Sequence, residues 1–274
     1  MNTEETKKGY GLLVGLNQVN PDHYEGWKGW LSCCENDVES IATILTKEGY
    51  TNIDTLLTKN ATRENVSKAL EHAAEIVNSG ETFLLYYSGH GSYLTDEEEE
   101  EDDKQDETWC LYNGQMLDDE IYSYWDKFKK DVKILMISDS CHSGTIFKAL
   151  PDKEYNMPKS MPWELREQVY IKHKDLYKPL MDHKRKRNRA HINISASILL
   201  LSACQDNQQA MAGNTNSLFT RTLIDLYGDP SICKNYEDYY LHVKEKINRI
   251  QTPNYAVLGI KNDAFEAQKP FKIS

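Results

Sequence analysis

The 274-residue chain has no long apolar run and no obvious targeting segment. No stretch approaches the roughly 18 consecutive apolar residues that a membrane-spanning helix needs. The amino-terminal MNTEETKKGYGLLVGLNQ is interrupted by polar residues before it could form the apolar core of a signal peptide. We therefore expect a cytoplasmic protein that does not enter membranes, and whose cysteines stay reduced.

The chain also lacks a CxxC pair and an excess of basic residues. Its net charge of −11 argues against a nucleic-acid partner, because attraction to phosphates requires a basic face. The cysteine spacing gives little support to a zinc site or a disulfide framework, and favours one activated thiolate among buried thiols. The six cysteines are Cys33, Cys34, Cys110, Cys141, Cys204 and Cys233.

What is present is an alternation of apolar strands and amphipathic helices, with 39% hydrophobic and 27% charged residues. Several predicted strands are apolar throughout, which is typical of a parallel sheet covered on both faces. Thr62 is a plausible cap for the second helix. The sequence predicts strands at 10–16, 53–57, 82–88, 132–138 and 194–202, and helices at 36–48, 63–78, 118–129, 217–227 and 236–250. The fold class is therefore α/β, with a mostly parallel sheet between two helical layers.

Two segments depart from this alternation. Residues 96–103 (DEEEEEDD) are eight consecutive acidic residues, which is typical of a solvated loop. Residues 151–193 contain four prolines and the basic string HKRKRNR, and we interpret them as an inserted linker rather than a sheet element. We expect one domain, in which this linker joins a larger part (about 8–150) to a smaller part (194–274).

The residues with the strongest chemical character follow two predicted strands. Parallel strands bring their carboxyl ends to one edge of the sheet, where His90 and Cys141 would meet as acid/base and nucleophile. Flanking glycine lets the backbone approach a substrate, so the amides of Gly91 and Cys141 are candidate oxyanion donors. His142 is the rival histidine, but its position next to the nucleophile turns it elsewhere. A lone histidine or a lone cysteine is more often structural than catalytic, so the prediction of an active site depends on His90 and Cys141 together.

The strings around these two residues resemble those of a known family. YYSGHGS (86–92) and DSCHSGT (139–145) look like the histidine and cysteine motifs of metacaspases, which are caspase-like cysteine peptidases. The interval of 51 residues between His90 and Cys141 is close to the roughly 50 residues typical of caspases. Weaker similarity comes from LSCCENDV (31–38), SACQDNQQA (202–210), NSLFTRTL (216–223) and QTP (251–253). The resemblance as a whole spans roughly residues 10–260.

The resemblance implies a caspase-like three-layer sandwich, a monomer, and hydrolysis of peptides and proteins after Arg or Lys. A cationic side chain needs carboxylates in its pocket, and Asp37 and Asp139 match acidic pocket positions of the family. Asp206 is a possible third wall of this pocket. The alternative for these aspartates is helix capping or simple surface exposure.

The resemblance also raises the question of calcium, although the chemistry itself requires no cofactor. Asp106, Asp118 and Asp119 match three calcium-binding positions of metacaspases, and carboxylate oxygens suit this ion. The fourth position corresponds to Lys148, which cannot bind a cation. The acidic run 96–103 offers replacement ligands, or is a solvated loop with no such role.

The basic end of the linker suggests how such a peptidase would be regulated. An enzyme that cleaves after basic residues could cut its own exposed linker, so we expect a zymogen activated by linker cleavage or displacement. The candidate cleavage residues are Lys184, Arg185, Lys186, Arg187 and Arg189. Two other functions remain open: a catalytically silent scaffold that binds partners, and a cysteine-dependent amidase of another kind.

Overall fold

The computed structural model describes most of the chain, and helices alternate with strands through its first half. The described residues are 7–95, 105–141, 155, 157–186, 193–204, 210–247 and 251–273. The strands are β1 (Gly9–Gly15), β2 (Asn52–Leu57), β3 (Thr82–Ser88), β4 (Gly91–Thr95), β5 (Gln105–Leu111), β6 (Gly114–Leu117), β7 (Lys133–Asp139), β8 (Met157–Pro158), β9 (Ser197–Ser202), β10 (Met211–Ala212) and β11 (Asn254–Gly259). The helices are α1 (Cys34–Lys47), α2 (Arg63–Ile76), α3 (Asp118–Tyr124), α4 (Trp163–Lys172), α5 (Lys174–Lys186), α6 (Leu218–Leu226), α7 (Tyr236–Ile247) and α8 (Asp263–Glu266).

The central sheet has six strands in the order β11-β9-β7-β3-β1-β2. Five are parallel, and the edge strand β11 runs antiparallel to β9. Strands β1 and β3 are buried at every residue, as expected for parallel strands covered on both faces. The predicted α/β class and mostly parallel sheet are confirmed.

Helices cover both faces of this sheet, because successive strand residues point to opposite sides. Leu12 and Val14 of β1 join the core on one face, with apolar residues of α2 and α3. Leu13 joins the core on the other face, with residues of α1, α6 and α7. Helix α2 begins where predicted, since the Thr62 hydroxyl accepts a hydrogen bond from the Asn65 amide at 3.2 Å.

A second, antiparallel sheet of β4, β5 and β6 lies beyond the carboxyl end of β3. The sequence predicts none of its strands, because the acidic run falls between β4 and β5 and interrupts the alternation of strands and helices. The run itself lies outside the described residues. This small sheet matters for the site, since β4 begins at Gly91, directly after His90.

The linker prediction is wrong in part, because residues 151–193 contain regular structure. Helices α4 and α5 occupy most of the described part, and β8 pairs antiparallel with β10. Pro179 lies inside α5, where proline normally costs about 3 kcal/mol. The buried side chains of Tyr177 and Met181 on the same helix offset that cost by packing into the core. Pro162 instead precedes α4 as its cap residue.

No helix within the described ranges is both long enough and apolar enough to cross a lipid bilayer.

Candidate active site

Two neighbouring strands end side by side and carry the predicted histidine and cysteine. β3 and β7 pair in parallel, and their last residues, Ser88 and Asp139, are register partners. His90 follows the first strand by two residues, and Cys141 follows the second by two. The sheet therefore brings both residues to the same carboxyl edge, as the sequence predicts.

The backbone of His90 is held by the residues around it. Its carbonyl accepts hydrogen bonds from the Tyr87 hydroxyl at 2.7 Å and the Cys110 amide at 2.9 Å. Tyr87 is in turn stacked on Trp109, with ring centroids 4.2 Å apart. The paired tyrosines of the YYSGHGS string therefore have a structural purpose, since the second one fixes the loop that carries the histidine.

The imidazole of His90 has a defined tautomer. Its Nε2 lies 3.0 Å from the carbonyl oxygen of Gly29, which can only accept, so Nε2 carries the hydrogen. The basic nitrogen is then Nδ1, which makes no hydrogen bond of ordinary geometry within the described part of the chain. Burial, together with a smaller effect of the charge on Lys159, lowers the pKa of His90 to about 4, although the backbone of Gly29 and Ser160 acts in the opposite direction. The ring is therefore neutral at pH 7 and able to accept a proton.

Cys141 is fully buried at the end of β7. Its thiol lies against that of Cys204, and the hydrogen bond between the two thiols, together with burial, raises the pKa of Cys204. Cys204 is in the SACQDNQQA string, and nothing in that string predicts a position beside Cys141.

Asp37 and Asp139 come together in one buried acidic pocket beside this pair. Asp37, in the first turn of α1, accepts hydrogen bonds from the Ser217 amide at 3.0 Å and the Ser88 hydroxyl at 2.8 Å. Asp139, at the end of β7, accepts from the hydroxyl groups of Ser217 and Thr220. Both side chains are completely inaccessible to solvent. Such charges are tolerated in a protein interior only when a counter-ion is present.

The counter-ion is Lys159, from the linker. Its Nζ lies 3.0 Å from Asp139 Oδ1 and 3.7 Å from Asp37 Oδ2, and donates a hydrogen bond to Ser88 Oγ at 2.8 Å. Burial alone would lower the pKa of Lys159, but Asp139, Cys34 and Asp37 outweigh it, so that the pKa is raised and the ammonium stays charged. The pocket thus contains a bound basic side chain that belongs to the chain itself.

The backbone of Lys159 is bound as closely as its side chain. Its carbonyl oxygen accepts hydrogen bonds from the Gly91 amide at 3.0 Å and the Cys141 amide at 3.2 Å. These are the two amides predicted as oxyanion donors, and they converge on one carbonyl. On the amino-terminal side, the Lys159 amide donates to Ala210 at 2.9 Å, and β8 continues the pairing with β10. The segment 157–159 is therefore extended across the site.

The predicted calcium ligands are not arranged as a preformed site. Asp106 lies on β5, whereas Asp118 and Asp119 lie in the first turn of α3, where the Asp119 amide donates to the Asp118 carboxylate. Among the described residues, these three carboxylates do not all lie within 4.8 Å of one another. As arranged here, they do not fit a calcium ion, which surrounds itself with oxygens at about 2.3–2.6 Å. Lys148, the fourth position, lies outside the described residues.

The remaining predicted residues fall at or beyond the described ranges. Asp206, the third proposed pocket residue, and His142 lie outside them. Lys184, Arg185 and Lys186 lie in the last turn of α5, in a helical backbone. Arg187 and Arg189 also lie outside the described residues. The proposed cleavage positions therefore remain a prediction.

Sequence reasoning missed the side chains that complete the pocket. Ser88 and Ser217 lie within strings already noted for their similarity to metacaspases, but nothing in the strings assigns them to the carboxylates. Thr220 follows Ser217 by one helical turn, and this spacing is a usable signal once Asp139 is known to need donors. Lys159 carries no signal, since it is one of many lysines in a basic segment.

A cysteine and a histidine at adjacent strand ends of a helix-covered parallel sheet, with two amides directed at one carbonyl, define a cysteine-type peptidase of the caspase-like class. The comparisons with known proteins agree. A family model described as "Caspase domain" matches residues 18–265, and the chain belongs to that family.

The relatives and solved structures narrow the resemblance further. Metacaspase-6 of Arabidopsis thaliana is 29% identical over 90% of this chain and 67% of its own length. Metacaspase-1 of Pyricularia oryzae is 33% identical over 51% of this chain and 37% of its own length, so the chain spans from about a third to two thirds of these relatives. Protein GSU0716 from Geobacter sulfurreducens matches in structure with a TM-score of 0.87, 37% identity, and 97% and 99% coverage of the two chains. Caspase-1 from Spodoptera frugiperda shares the fold, with a TM-score of 0.59, 13% identity, and 93% and 90% coverage.

Proposed function

We propose that this protein is a cysteine endopeptidase that cleaves peptide bonds after Lys or Arg, and that the intact chain is a zymogen blocked by its own Lys159. One observation carries the proposal: a lysine ammonium is bound by two buried carboxylates while the carbonyl of the same residue accepts from the Gly91 and Cys141 amides. This is the arrangement expected for the residue on the amino side of a scissile bond.

The chemistry follows from the tautomer of His90 and the direction of the two amides. Nδ1 of His90 takes the thiol proton of Cys141, and the thiolate attacks the carbonyl carbon of the bound basic residue. The negative charge that develops on the carbonyl oxygen is stabilised by the amides of Gly91 and Cys141. His90 then returns the proton to the leaving amine, and water hydrolyses the thioester to free Cys141.

Specificity for a basic residue follows from the charge of the pocket. The other lone pairs of Asp37 and Asp139 accept hydrogen bonds from serine and threonine hydroxyls, the Ser217 amide and the Asn216 side chain, so the two carboxylates still require a positive charge. An aspartate side chain in the same pocket would be repelled by both carboxylates. A neutral side chain would leave two buried charges unpaired, which is strongly unfavourable.

Latency follows from the connection between Lys159 and the rest of the chain. A tethered segment competes with free peptides at an effective concentration that reaches the order of millimolar for short flexible tethers. The candidate scissile bond is therefore Lys159–Ser160, rather than the bonds after residues 184–189. Lys184, Arg185 and Lys186 lie in the last turn of α5, which would have to unwind before its backbone could pair with β10 in an extended form.

The specificity is tested with paired fluorogenic peptides that end in Lys, Arg or Asp, using wild type, Cys141→Ala and His90→Gln. We expect release from the Lys and Arg peptides alone, and loss of that release in both variants. Release after Asp would contradict the acidic pocket, and release by Cys141→Ala would contradict the assigned nucleophile. No release from any peptide, including by a Lys159→Ala variant, would favour a silent scaffold.

Self-cleavage is tested by identifying the new amino terminus of fragments from the purified chain. We expect a fragment that begins at Ser160 in wild type, and none in Cys141→Ala. Lys159→Gln serves as the matched control, because it removes the charge and keeps a polar side chain that is only one atom shorter. Cleavage of that variant at the same bond, or cleavage of wild type only within residues 184–189, would refute the assignment.

A further inference from the structure

The acidic pocket has a second wall, made of sulfur. Cys33 and Cys34, at the start of α1, are both completely buried next to Asp37. Their two sulfur atoms and a carboxylate oxygen of Asp37 all lie within 4.8 Å of one another. Cys33, Cys34 and Asp37 are here called the dithiol cluster. Among the described residues, no other group of three or more histidine, cysteine or acidic side chains has its ligand atoms this close together.

The helix explains why these side chains converge. Cys33 is the cap residue of α1, and its carbonyl accepts the Asp37 amide at 2.8 Å. Residues four apart on a helix lie on the same face, and the adjacent Cys34 lies three residues before Asp37. The spacing is therefore i, i+1, i+4, which differs from a CxxC pair and explains why cysteine spacing alone gave no sign of a site.

The surroundings of the cluster favour a cation. The ammonium of Lys159 lies 3.7 Å from Asp37, and both cysteines contribute to the raised pKa of this lysine. Asp139 adds a second buried carboxylate, 3.0 Å from the same ammonium. A positive charge is thus already bound at this end of the pocket, with two thiols within its electrostatic reach.

We propose that the dithiol cluster binds a thiophilic divalent cation, of which Zn²⁺ and Cd²⁺ are the representatives, and that this cation competes with a basic side chain for the pocket. Two thiolates and a carboxylate supply three ligands of a tetrahedral site, with water as the fourth. Binding breaks two S–H bonds and releases two protons to solvent as the metal–sulfur bonds form. Thiolate ligands select such ions over calcium and magnesium, which prefer oxygen.

Mutual exclusion follows because the metal and Lys159 share Asp37 and have the same sign of charge. The metal enters only when the linker lysine has left the pocket, and it then excludes the basic side chain of a substrate. This consequence for activity rests on the proposed function, whereas metal binding itself does not. The inhibited form would be the opened enzyme, not the zymogen.

The test is a Cd²⁺ titration of Cys141→Ala/Lys159→Ala, followed by the ultraviolet charge-transfer absorption of cadmium thiolates. Removal of Cys141 excludes metal binding at the nucleophile, and removal of Lys159 opens the pocket. We expect one equivalent to bind, and either Cys33→Ser or Cys34→Ser to weaken binding by at least about 100-fold. Cys110→Ser, which changes a buried thiol in the core on the opposite face of the sheet, is the matched control and should bind as before.

The lysine arm of the experiment uses Cys141→Ala alone, in which Lys159 remains. Its affinity for Cd²⁺ should be at least tenfold weaker than that of the double variant. Equal affinity with and without Lys159 would overturn mutual exclusion. Thiolate absorption that persists in both Cys33→Ser and Cys34→Ser, or is absent from every variant, would overturn the site.

A second measurement avoids substitution at the cluster. In Cys141→Ala/Lys159→Ala, bound Cd²⁺ should protect Cys33 and Cys34 from alkylation, as located by peptide mass mapping, and leave the labelling of Cys110 unchanged. Absence of protection would overturn the proposal even if the serine variants failed to fold. Because neither readout uses peptide hydrolysis, failure of the proposed peptidase specificity would remain distinguishable from failure of the metal site.

Discussion

Binding of an ammonium group in the buried pocket depends on hydrogen bonds that already orient the two carboxylates. Asp139 receives hydroxyl hydrogen bonds from Ser217 and Thr220, which orient one oxygen and leave the other toward Lys159. Ser88 connects the two halves of the pocket, since its hydroxyl accepts from Lys159 and donates to Asp37. These contacts make the pocket rigid, so that a basic side chain is bound without reorganisation of the carboxylates.

Asp139→Asn should therefore impair the cleavage of basic peptides. The substitution removes one buried charge while keeping the shape, and breaking such a pair costs about 2–5 kcal/mol. We expect kcat/KM for Lys and Arg peptides to fall by about 100-fold or more, measured on processed enzyme by initial rates. Asp54→Asn, in the exposed edge strand β2, is the control and should leave kcat/KM unchanged. Equal losses in both variants would contradict the role of Asp139.

At the residue scale, sequence reasoning predicted the reactive groups but not their supports. His90 and Cys141 stand out because a histidine and a cysteine after apolar strands are chemically unusual. Ser88, Ser217 and Thr220 are ordinary residues whose importance depends on which carboxylate they contact, and these contacts span up to 180 residues of sequence. Lys159 could not be distinguished, because its role depends on the course of the linker.

At the scale of elements, a small network of polar side chains connects the linker helix α5 to the loop after β1 and to β6. The Tyr177 hydroxyl, on α5, lies 2.6 Å from Nε2 of His23 and accepts a hydrogen bond from the Gln115 amide at 3.0 Å. His23 is stacked on His173, with ring centroids 3.8 Å apart. This network holds α5 against the loop after β1 and against β6.

Tyr177→Phe should lower the free energy of unfolding by about 1–3 kcal/mol, because it leaves the buried backbone N–H of Gln115 without its hydroxyl acceptor. Urea unfolding followed by circular dichroism measures the effect. Tyr240→Phe is the control, since the Tyr240 hydroxyl makes a longer bond of 3.3 Å to Pro253 in a half-buried position. A change of a few tenths of a kcal/mol at Tyr177, no greater than at Tyr240, would show that the network does not hold the linker.

Element boundaries were predicted best where one pattern dominated. The strands of the parallel sheet are apolar at nearly every position, so β1, β3 and β7 agree with prediction to within a residue or two. The predicted helix 118–129 is shorter, because α3 ends at Tyr124 and passes into a 3-10 turn at Trp125–Lys127. The strand β11 was missed since it is half-exposed and short. The linker helices were missed because four prolines and a basic run obscured a packed face.

At the scale of the whole molecule, buried histidines make stability depend on pH. Burial, together with the charge on Lys159, lowers the pKa of His90 from the ordinary 6.5 to about 4. Between these values the unfolded chain binds a proton that the folded chain does not, so stability is complete above about pH 6.5 and falls as the pH drops toward 4. The contribution of His90 amounts to about 3 kcal/mol at most.

Urea unfolding at a series of pH values from 7 to 4 measures this dependence. His90→Gln should flatten it, because glutamine does not titrate, and the control His72→Gln, at an exposed position on α2, should not. His23, whose pKa burial and the neighbouring His173 lower to about 4, should contribute to the same window. An unchanged slope in His90→Gln would contradict the buried, neutral imidazole.

The central claim is that the intact chain is a peptidase for basic residues whose pocket is filled by Lys159. The most direct test compares progress curves on an Arg peptide for wild type, Lys159→Ala, and Lys159→Arg, which retains the charge. We predict that Lys159→Ala hydrolyses the peptide from the start, at least tenfold faster than unprocessed wild type, that Lys159→Arg stays latent, and that adding Cys141→Ala abolishes the activity. If Lys159→Ala is no faster than wild type, or prefers an Asp peptide, the account is contradicted.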